Sequence, residues 1–112
     1  ISVYLDLDNN FVYFAKNGAL QYSGDPTSGA TGTGGKAITA SASTTNGSYA
    51  FACGDGNTAT RTFDWNFGNG FFGTTAVTTN SGNGYAGTDG KSIFNYQPPT
   101  GYSALSTKGL NL

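Results

Sequence analysis

The feature of this sequence that most limits its fold is its content of small and turn-forming residues. Glycine, threonine, serine and asparagine account for 55 of the 112 residues. These residue types favour short strands joined by many turns and give helices little support. No useful stretch shows the 3.6-residue period of an amphipathic helix. The sequence therefore predicts an all-β fold, in a single domain over residues 1–112 because the length suits one sandwich or barrel.

The apolar residues available for a core are mostly aromatic. Twelve Ile, Leu and Val residues stand beside eight Phe, seven Tyr and one Trp. Each buried ring can remove roughly 150–250 Å² from water. Disordered chains combine few aromatic residues with a high net charge, whereas this chain has many rings and a net charge of −1. We expect a folded domain with a thin, aromatic core.

The charged residues give no sign of a polyanionic partner. Five basic and six acidic residues are scattered singly along the chain, so they form no field that would attract nucleic acid or an anionic membrane. No apolar run approaches the roughly 18 residues of a membrane span. We therefore expect neither nucleic-acid binding nor membrane insertion. The lone cysteine, Cys53, has no partner for an internal disulfide, and we predict that its thiol is buried in the core.

Alternating apolar and polar residues predict most of the strands. Residues 1–7 and 11–15 are expected to pair as a hairpin around the turn formers at 8–10. A third short strand is expected at 19–22, followed by a flexible surface loop over residues 27–36. Weaker patterns predict three more strands, at 37–42, 49–53 and 93–96, with a tight connection at 54–57 after the second and Pro98-Pro99 ending the third.

The clearest strand pattern covers residues 58–67. Phe63, Trp65 and Phe67 fall on one side of an extended chain there, with polar residues on the other side. We expect this strand to lie centrally in a sheet, with Trp65 packed in the core. The following residues, 69–92, are rich in Gly, Thr and Asn and predict either a long loop or a weak hairpin.

Three separated segments form a set of motifs. The first is LDLDNNFVYFAKNG at 5–18, followed by YSGDP at 22–26. The second is FDWNFG at 63–68, and the third is FNYQPPTGYSALSTKGL at 94–110. In type and in order, these segments resemble the C-terminal half of the SPRY-like domains found in bacteriophage virion proteins. The resemblance covers nearly the whole chain and departs from the phage pattern at 69–92, which reads as a loop insertion.

The resemblance implies an antiparallel β-sandwich of the SPRY type, a concanavalin-like jelly roll. It also implies that the N-terminal strands of that sandwich are missing from residues 1–112, or that another chain supplies them. The implied function is a non-enzymatic structural or binding module of the virion, located in a tail fibre, tail tip or capsid decoration. The implied partners are other copies of the chain, other virion proteins, or a host-surface glycan or protein.

Two other classes of function stay open. One is a cellular SPRY-type adaptor that binds peptides. The other is carbohydrate recognition, as a carbohydrate-binding module or as a fragment of a carbohydrate-active enzyme. Tyr22, Phe71, Phe72 and Tyr85 lie in glycine-rich loops, where aromatic rings commonly stack on sugars or partner side chains. The alternative is that these rings cover the ends of a thin core.

The chain offers no convincing catalytic group. Without histidine, no serine or cysteine has an imidazole base, and six scattered aspartates single out no acid–base pair. We predict that the protein is not an enzyme and uses no cofactor. Asp6, Asp8 and Asn10 alternate as at the start of a calcium loop. The glycine and bidentate glutamate that such a loop requires are absent, so we interpret these three as turn residues and keep a metal site as the weaker alternative.

Overall fold

The computed structural model describes residues 1–54, 56, 58–77 and 84–105. In these residues the named strands all pair antiparallel, in one four-stranded and one two-stranded sheet. Helical structure there consists of two three-residue 3-10 turns, Gly29–Thr31 and Ser41–Ser43. The prediction of an all-β fold is confirmed.

The larger sheet is built on the predicted N-terminal hairpin. Its four strands are β1 (Ser2–Asp6), β2 (Phe11–Lys16), β3 (Ala19–Leu20) and β4 (Lys36–Ala37). All of β1 pairs with β2, with Tyr4 opposite Tyr13. Two short strands, β3 and β4, pair with the opposite edge of β2, β3 near its end and β4 near its start. The outer edge of β1 pairs with no other strand of the described residues.

The turns of this sheet follow directly from the sequence. Asn17 and Gly18 connect β2 to β3, and both have positive φ angles, 51° and 81°. Positive φ at both central residues is the geometry of a type I′ hairpin turn, which asparagine and glycine adopt readily. Asn10, before β2, also has a positive φ, of 61°. The predicted hairpin and third strand are thus confirmed.

The β1–β2 hairpin has two different faces. The tyrosine face carries Ser2, Tyr4 and Asp6 from β1 opposite Ala15, Tyr13 and Phe11 from β2. The groove face carries the residues in between, Val3 and Leu5 opposite Phe14 and Val12. Tyr13 and Ala15 are buried, whereas 42% of Phe14 is exposed. The core therefore lies on the tyrosine face.

The loop between β3 and β4 covers the tyrosine face. Its backbone is joined by hydrogen bonds, from the Asp25 amide to the Thr33 carbonyl at 2.9 Å and from the Gly35 amide to the Gly32 carbonyl at 2.9 Å. A Cβ at Gly35 would lie 2.6 Å from Cε1 of Tyr13. Glycine thus lets the loop backbone rest directly on the Tyr13 ring. The segment predicted as a flexible loop is instead held by its own hydrogen bonds and covers the tyrosine face.

The second sheet is a small hairpin inside the 69–92 segment. It consists of β5 (Phe71–Phe72) and β6 (Thr75–Ala76), so the hairpin alternative applies to 71–76. Tyr85 and Phe94 then exchange two backbone hydrogen bonds of 2.8 Å. The Asn66 side-chain amide donates to the Ile93 carbonyl at 2.9 Å. These bonds hold the chain before and after the hairpin together.

Several of the predicted strands are not found. No strand runs through the described part of 49–53 or 58–67, so the prediction of a central strand at 58–67 is wrong. The alternation is real, yet no neighbouring strand among the described residues supplies the hydrogen bonds of a ladder. The predicted strand at 93–96 is reduced to isolated bridges, and that at 37–42 to the end of β4 followed by a 3-10 turn. Asp55 and Asn57 of the predicted connection lie outside the described residues.

Candidate functional site

An apolar groove with a volume of about 530 Å³ opens on the groove face of the hairpin. Its floor is apolar because the alternation of β1 and β2 sends every second side chain to this face. The chain from 47 to 52 forms one wall without pairing as a strand. The floor and ends are lined by Val3, Leu5, Leu7, Val12, Phe14, Ile38, Trp65 and Leu105.

A group of partly exposed aromatic rings borders this groove. The Trp65 and Phe67 rings are stacked, with centroids 5.6 Å apart and planes 2° from parallel. Phe51 lies against Phe67 at 5.8 Å with its ring tilted. All three rings keep about two-fifths of their surface exposed. We call Phe51, Trp65 and Phe67 the aromatic stack.

Two predictions of burial are wrong here. Trp65 was expected in the core, but it is 41% exposed. Cys53 was expected as a buried thiol, and it is exposed. The cause is the same for both, because residues 49–53 and 58–67 have no second sheet layer packed over them in the described structure. Alternation correctly placed Trp65 and Phe67 on one side of the chain, but it did not show what covers that side.

The structure does not bring the predicted ligand-binding aromatics together. Tyr22 is 86% exposed in the turn after β3. Phe71 and Phe72 form β5 and are 45% and 38% exposed. Tyr85 is half-buried and paired with Phe94. All four lie within the described residues, and no ring contact joins any two of them or places them in the groove.

The predicted turn residues act locally. Both carboxylate oxygens of Asp6 accept hydrogen bonds from Asn9, one from its amide at 3.0 Å and one from its side chain at 2.8 Å. Asp8 is exposed and Asn10 carries the positive φ that starts β2. The described residues contain no group of three or more Cys or Asp side chains placed to hold a metal ion. The geometry of these residues is that of a turn.

Among the described residues, the carboxylate of Asp89 accepts the largest set of side-chain hydrogen bonds. One carboxylate oxygen accepts from the amides of Lys91 and Ser92, both at 2.7 Å, and from the Ser92 hydroxyl at 2.9 Å. The other accepts from the Ala104 amide at 2.9 Å. These donors, led by the Ala104 amide, hold the pKa of Asp89 well below its ordinary value, against an opposing effect of burial. Asp89 therefore joins the 87–92 turn to the chain near residue 104.

A second long-range connection is made by Tyr102. Its ring lies edge-on against Tyr4 with centroids 5.8 Å apart, and its hydroxyl donates to the Pro26 carbonyl at 3.0 Å. Burial, with a smaller contribution from the charge of Asp6, raises the pKa of Tyr102 to about 12. The neutral phenol is thus the form that the fold stabilises. Sequence reasoning predicted no long-range contact for either Asp89 or Tyr102.

Comparisons with known proteins gave no relative. No protein-family model, no curated protein and no solved structure matches the chain. None of the helices in the described ranges has the length and apolar character needed to cross a membrane.

Proposed function

We propose that this chain is a non-enzymatic structural and binding module of a bacteriophage virion, built as part of a SPRY-like β-sandwich. It acts in a tail fibre, tail tip or capsid decoration by contacts with other copies of itself and with other virion proteins. Exposed aromatic residues such as Tyr22, in a turn, and Phe71, in β5, are available for a host-surface glycan or protein.

The observation that carries this proposal is the imbalance between buried and exposed apolar residues. Among the described residues the buried hydrophobic side chains are Tyr13, Ala15, Val77 and Ala104, whereas thirteen large hydrophobic side chains are at least 38% exposed. Small domains bury a small fraction of their surface even when complete, and large apolar patches on a soluble chain mark interaction sites. An assembled particle covers such surface by packing each copy against its neighbours.

The positions of the three motifs support one functional unit. Tyr102 of the third motif donates its hydroxyl to Pro26, which ends the first motif. Asn66 of the second motif donates to the carbonyl of Ile93, the residue before the third motif. Segments that lie far apart in the sequence are therefore in contact where their motifs occur. This is the arrangement expected if the motifs belong to one domain type.

The charge of the chain favours the same kind of partner. Five basic and six acidic residues in the whole sequence leave long uncharged surfaces. Contacts must then come mainly from apolar and aromatic side chains, which dominate the centres of protein–protein interfaces. A protein surface of similar character, such as another copy, fits these requirements better than a polyanion.

Localisation is the direct test of the virion role. Antibodies raised against residues 1–112 are applied to purified particles of the phage whose genome encodes this sequence, with immunogold detection by electron microscopy. We expect labelling at regular positions on tails or capsids. Labelling confined to the soluble lysate, with clean particles, would overturn the proposal.

Assembly is tested separately on the purified chain. Sedimentation velocity over a range of micromolar concentrations is expected to show association. Replacing Phe71 and Phe72 with serine should weaken it, because both rings are exposed on β5. Thr74→Ser, in the same hairpin, is the matched control and should leave association unchanged. A wild-type chain that sediments as a monomer at every concentration would contradict self-assembly.

Carbohydrate recognition is a second candidate function, favoured by the aromatic stack. Two parallel rings that are 41% and 38% exposed, Trp65 and Phe67, offer flat apolar surface of the kind that stacks on sugar rings. Titration with neutral oligosaccharides should quench or shift the fluorescence of Trp65, the single tryptophan. Phe67→Ala keeps this reporter and should weaken the response. An unchanged spectrum across a broad set of glycans would remove this candidate.

A further inference from the structure

Asparagine is followed directly by glycine at four places in the chain, at residues 17–18, 46–47, 69–70 and 83–84. This dipeptide is chemically labile, because glycine has no Cβ to keep its backbone nitrogen away from the asparagine side chain. The reaction also requires a backbone that is free to bring the nitrogen onto that side chain. Asn83 lies outside the described residues, and the other three pairs are held to very different degrees.

The pair at 17–18 is held in the tight turn between β2 and β3. Lys16 and Ala19 pair on either side of it, which fixes the positive φ angles of Asn17 and Gly18. The Gly18 backbone also lies close to the Tyr96 ring, since a Cβ there would be 2.7 Å from Cδ1 of Tyr96. Bringing the Gly18 nitrogen onto the Asn17 side chain would therefore open the β2–β3 connection.

The pair at 69–70 is held by hydrogen bonds on both residues. Oδ1 of Asn69 accepts from the Phe71 amide at 3.2 Å. Gly70 is buried, and its carbonyl accepts from the Val77 amide at 2.8 Å. The Gly70 amide, which would have to attack, donates to Oδ1 of Asn66 at 3.4 Å. These bonds keep the nitrogen and the side-chain amide of the pair in separate interactions.

The pair at 46–47 has far fewer restraints. Both residues are exposed and lie outside the named strands and 3-10 turns. A Cβ at Gly47 would meet nothing within 4 Å, and the Asn46 side chain makes no hydrogen bond in the described part of the chain. The Gly47 amide donates to the Thr44 carbonyl at 3.2 Å, at the long end of the usual range. Water can replace this exposed bond at little cost.

We propose that Asn46 is a site of spontaneous deamidation, at which the chain acquires a negative charge as it ages. The Gly47 nitrogen gives its proton to hydroxide and attacks Cγ of Asn46. The bond from Cγ to the side-chain nitrogen then breaks, and that nitrogen leaves as ammonia after taking a proton from water. Water opens the resulting cyclic succinimide at either carbonyl, which gives aspartate or isoaspartate. The net change consumes water and releases ammonia, and nothing is oxidised or reduced.

The position of Asn46 gives this reaction a consequence for the apolar groove. Gly47 and Ser48 line the groove, and none of the described residues that line it is charged. Either product places a carboxylate at the edge of this uncharged surface. Isoaspartate also lengthens the main chain by one carbon, which displaces the wall that follows. An apolar partner entering the groove would have to desolvate the new charge, so deamidation makes such binding less favourable.

The inference is independent of the virion role and is tested by comparing the three pairs within the intact chain. The protein is incubated at mildly alkaline pH in heavy-oxygen water, so that reaction during the later digestion is not counted. Trypsin leaves Asn17, Asn46 and Asn69 in three different peptides, and fragment ions distinguish Asn69 from Asn83. We expect Asn46 to react at least about tenfold faster than the other two, the factor for roughly one net hydrogen bond broken. Equal rates, or a faster reaction at Asn17 or Asn69, would overturn the proposal.

The unfolded chain is the control for local chemistry. In guanidinium chloride the three rates should converge, with Asn17 and Asn69 reacting faster than in the folded chain and Asn46 changing little. If the folded order of rates persisted there, sequence neighbours and not the fold would set it, and the structural argument would fail.

A substitution checks that the reaction is assigned to the right side chain. Asn46→Gln keeps a side-chain amide at this exposed position but would require a larger, less readily formed ring. Heavy-oxygen incorporation into the peptide 37–61 should therefore be lost. Incorporation at the wild-type rate would assign the reaction to another residue of that peptide and overturn the proposal.

Discussion

The N-terminal hairpin and the 49–67 segment start from the same sequence pattern and end as different structures. Both alternate apolar with polar residues, yet residues 2–16 form paired strands and the described part of 49–67 forms none. In the hairpin the partner strand follows after four turn residues, so closing the loop costs little entropy. The later segment also offers a neighbour across four turn formers, at 54–57, yet its described residues form no strand. Alternation thus indicates which side a residue occupies, but alternation and a nearby partner do not by themselves decide whether a strand forms.

The largest expected difference between these regions is the cost of removing an aromatic ring. Tyr13→Ala should lower the free energy of unfolding by roughly 3–5 kcal/mol, since Tyr13 is 1% exposed. Trp65→Ala should cost about 1 kcal/mol, since Trp65 is 41% exposed. Urea unfolding of both variants at low protein concentration measures the difference. Equal losses would mean that the two regions are equally well packed.

The next largest effect concerns the connection that Asp89 makes. Asp89→Ala removes the acceptors for Lys91, Ser92 and Ala104 and should cost on the order of 3 kcal/mol, because hydrogen bonds to charged groups are strong and buried donors are left unpaired. Asp8→Ala removes an exposed carboxylate that makes no hydrogen bond in the described part of the chain and is the matched control. Comparable losses in the two variants would show that the hydrogen bonds of Asp89 contribute little.

Acid titration gives a second test of how much Asp89 contributes to stability. The fold lowers the pKa of Asp89 below its ordinary value of 3.8, so the folded state favours the carboxylate. Its contribution to stability is present above the ordinary pKa and is lost as the pH falls below it. Unfolding measured from pH 5 downward should therefore show a shallower loss in Asp89→Asn than in the wild type.

A smaller effect is expected from the hydroxyl of Tyr102. Tyr102→Phe removes its hydrogen bond to Pro26 and should cost about 1 kcal/mol. Since the fold raises the pKa of Tyr102 from 10 to about 12, the wild type should lose stability as the pH rises from 10 through 12. The variant should lack this part of the alkaline loss, and thermal unfolding across that range compares them. Parallel curves would contradict the assigned pKa.

The smallest expected effect is that of removing the hydroxyl of Tyr13. The Tyr13 hydroxyl is buried and has no hydrogen-bond partner, and an unsatisfied buried hydroxyl carries a desolvation cost. Tyr13→Phe should therefore leave the free energy of unfolding unchanged or raise it slightly. Measured beside Tyr102→Phe, it compares an unpaired with a paired hydroxyl. A loss as large as that of Tyr102→Phe would indicate that the Tyr13 hydroxyl has a partner after all.

Sequence reasoning succeeded where the determining contacts are local. Neighbouring residues determine the hairpin, its third strand and the Asn17-Gly18 turn. The residues that favour such turns can be recognised directly in a sequence. The burial of Trp65 and Cys53 depends on whether a distant segment covers them, which alternation does not encode. The groove was missed for the same reason. The alternation of β1 and β2 identified two faces, but it did not show which one the loop before β4 would cover.

The long-range hydrogen bonds also affect the order and the rate of folding. The hydrogen bond from Tyr102 to Pro26 joins residues 76 positions apart, and that from Asn66 to Ile93 spans 27. A hairpin closes on the order of microseconds, whereas high contact order slows the folding of a whole domain. During synthesis the N-terminal hairpin can therefore form before Tyr102 is available to pack against its tyrosine face. A nascent chain stalled before residue 102 would leave part of the tyrosine face exposed. At this stage a chaperone has the most apolar surface to protect.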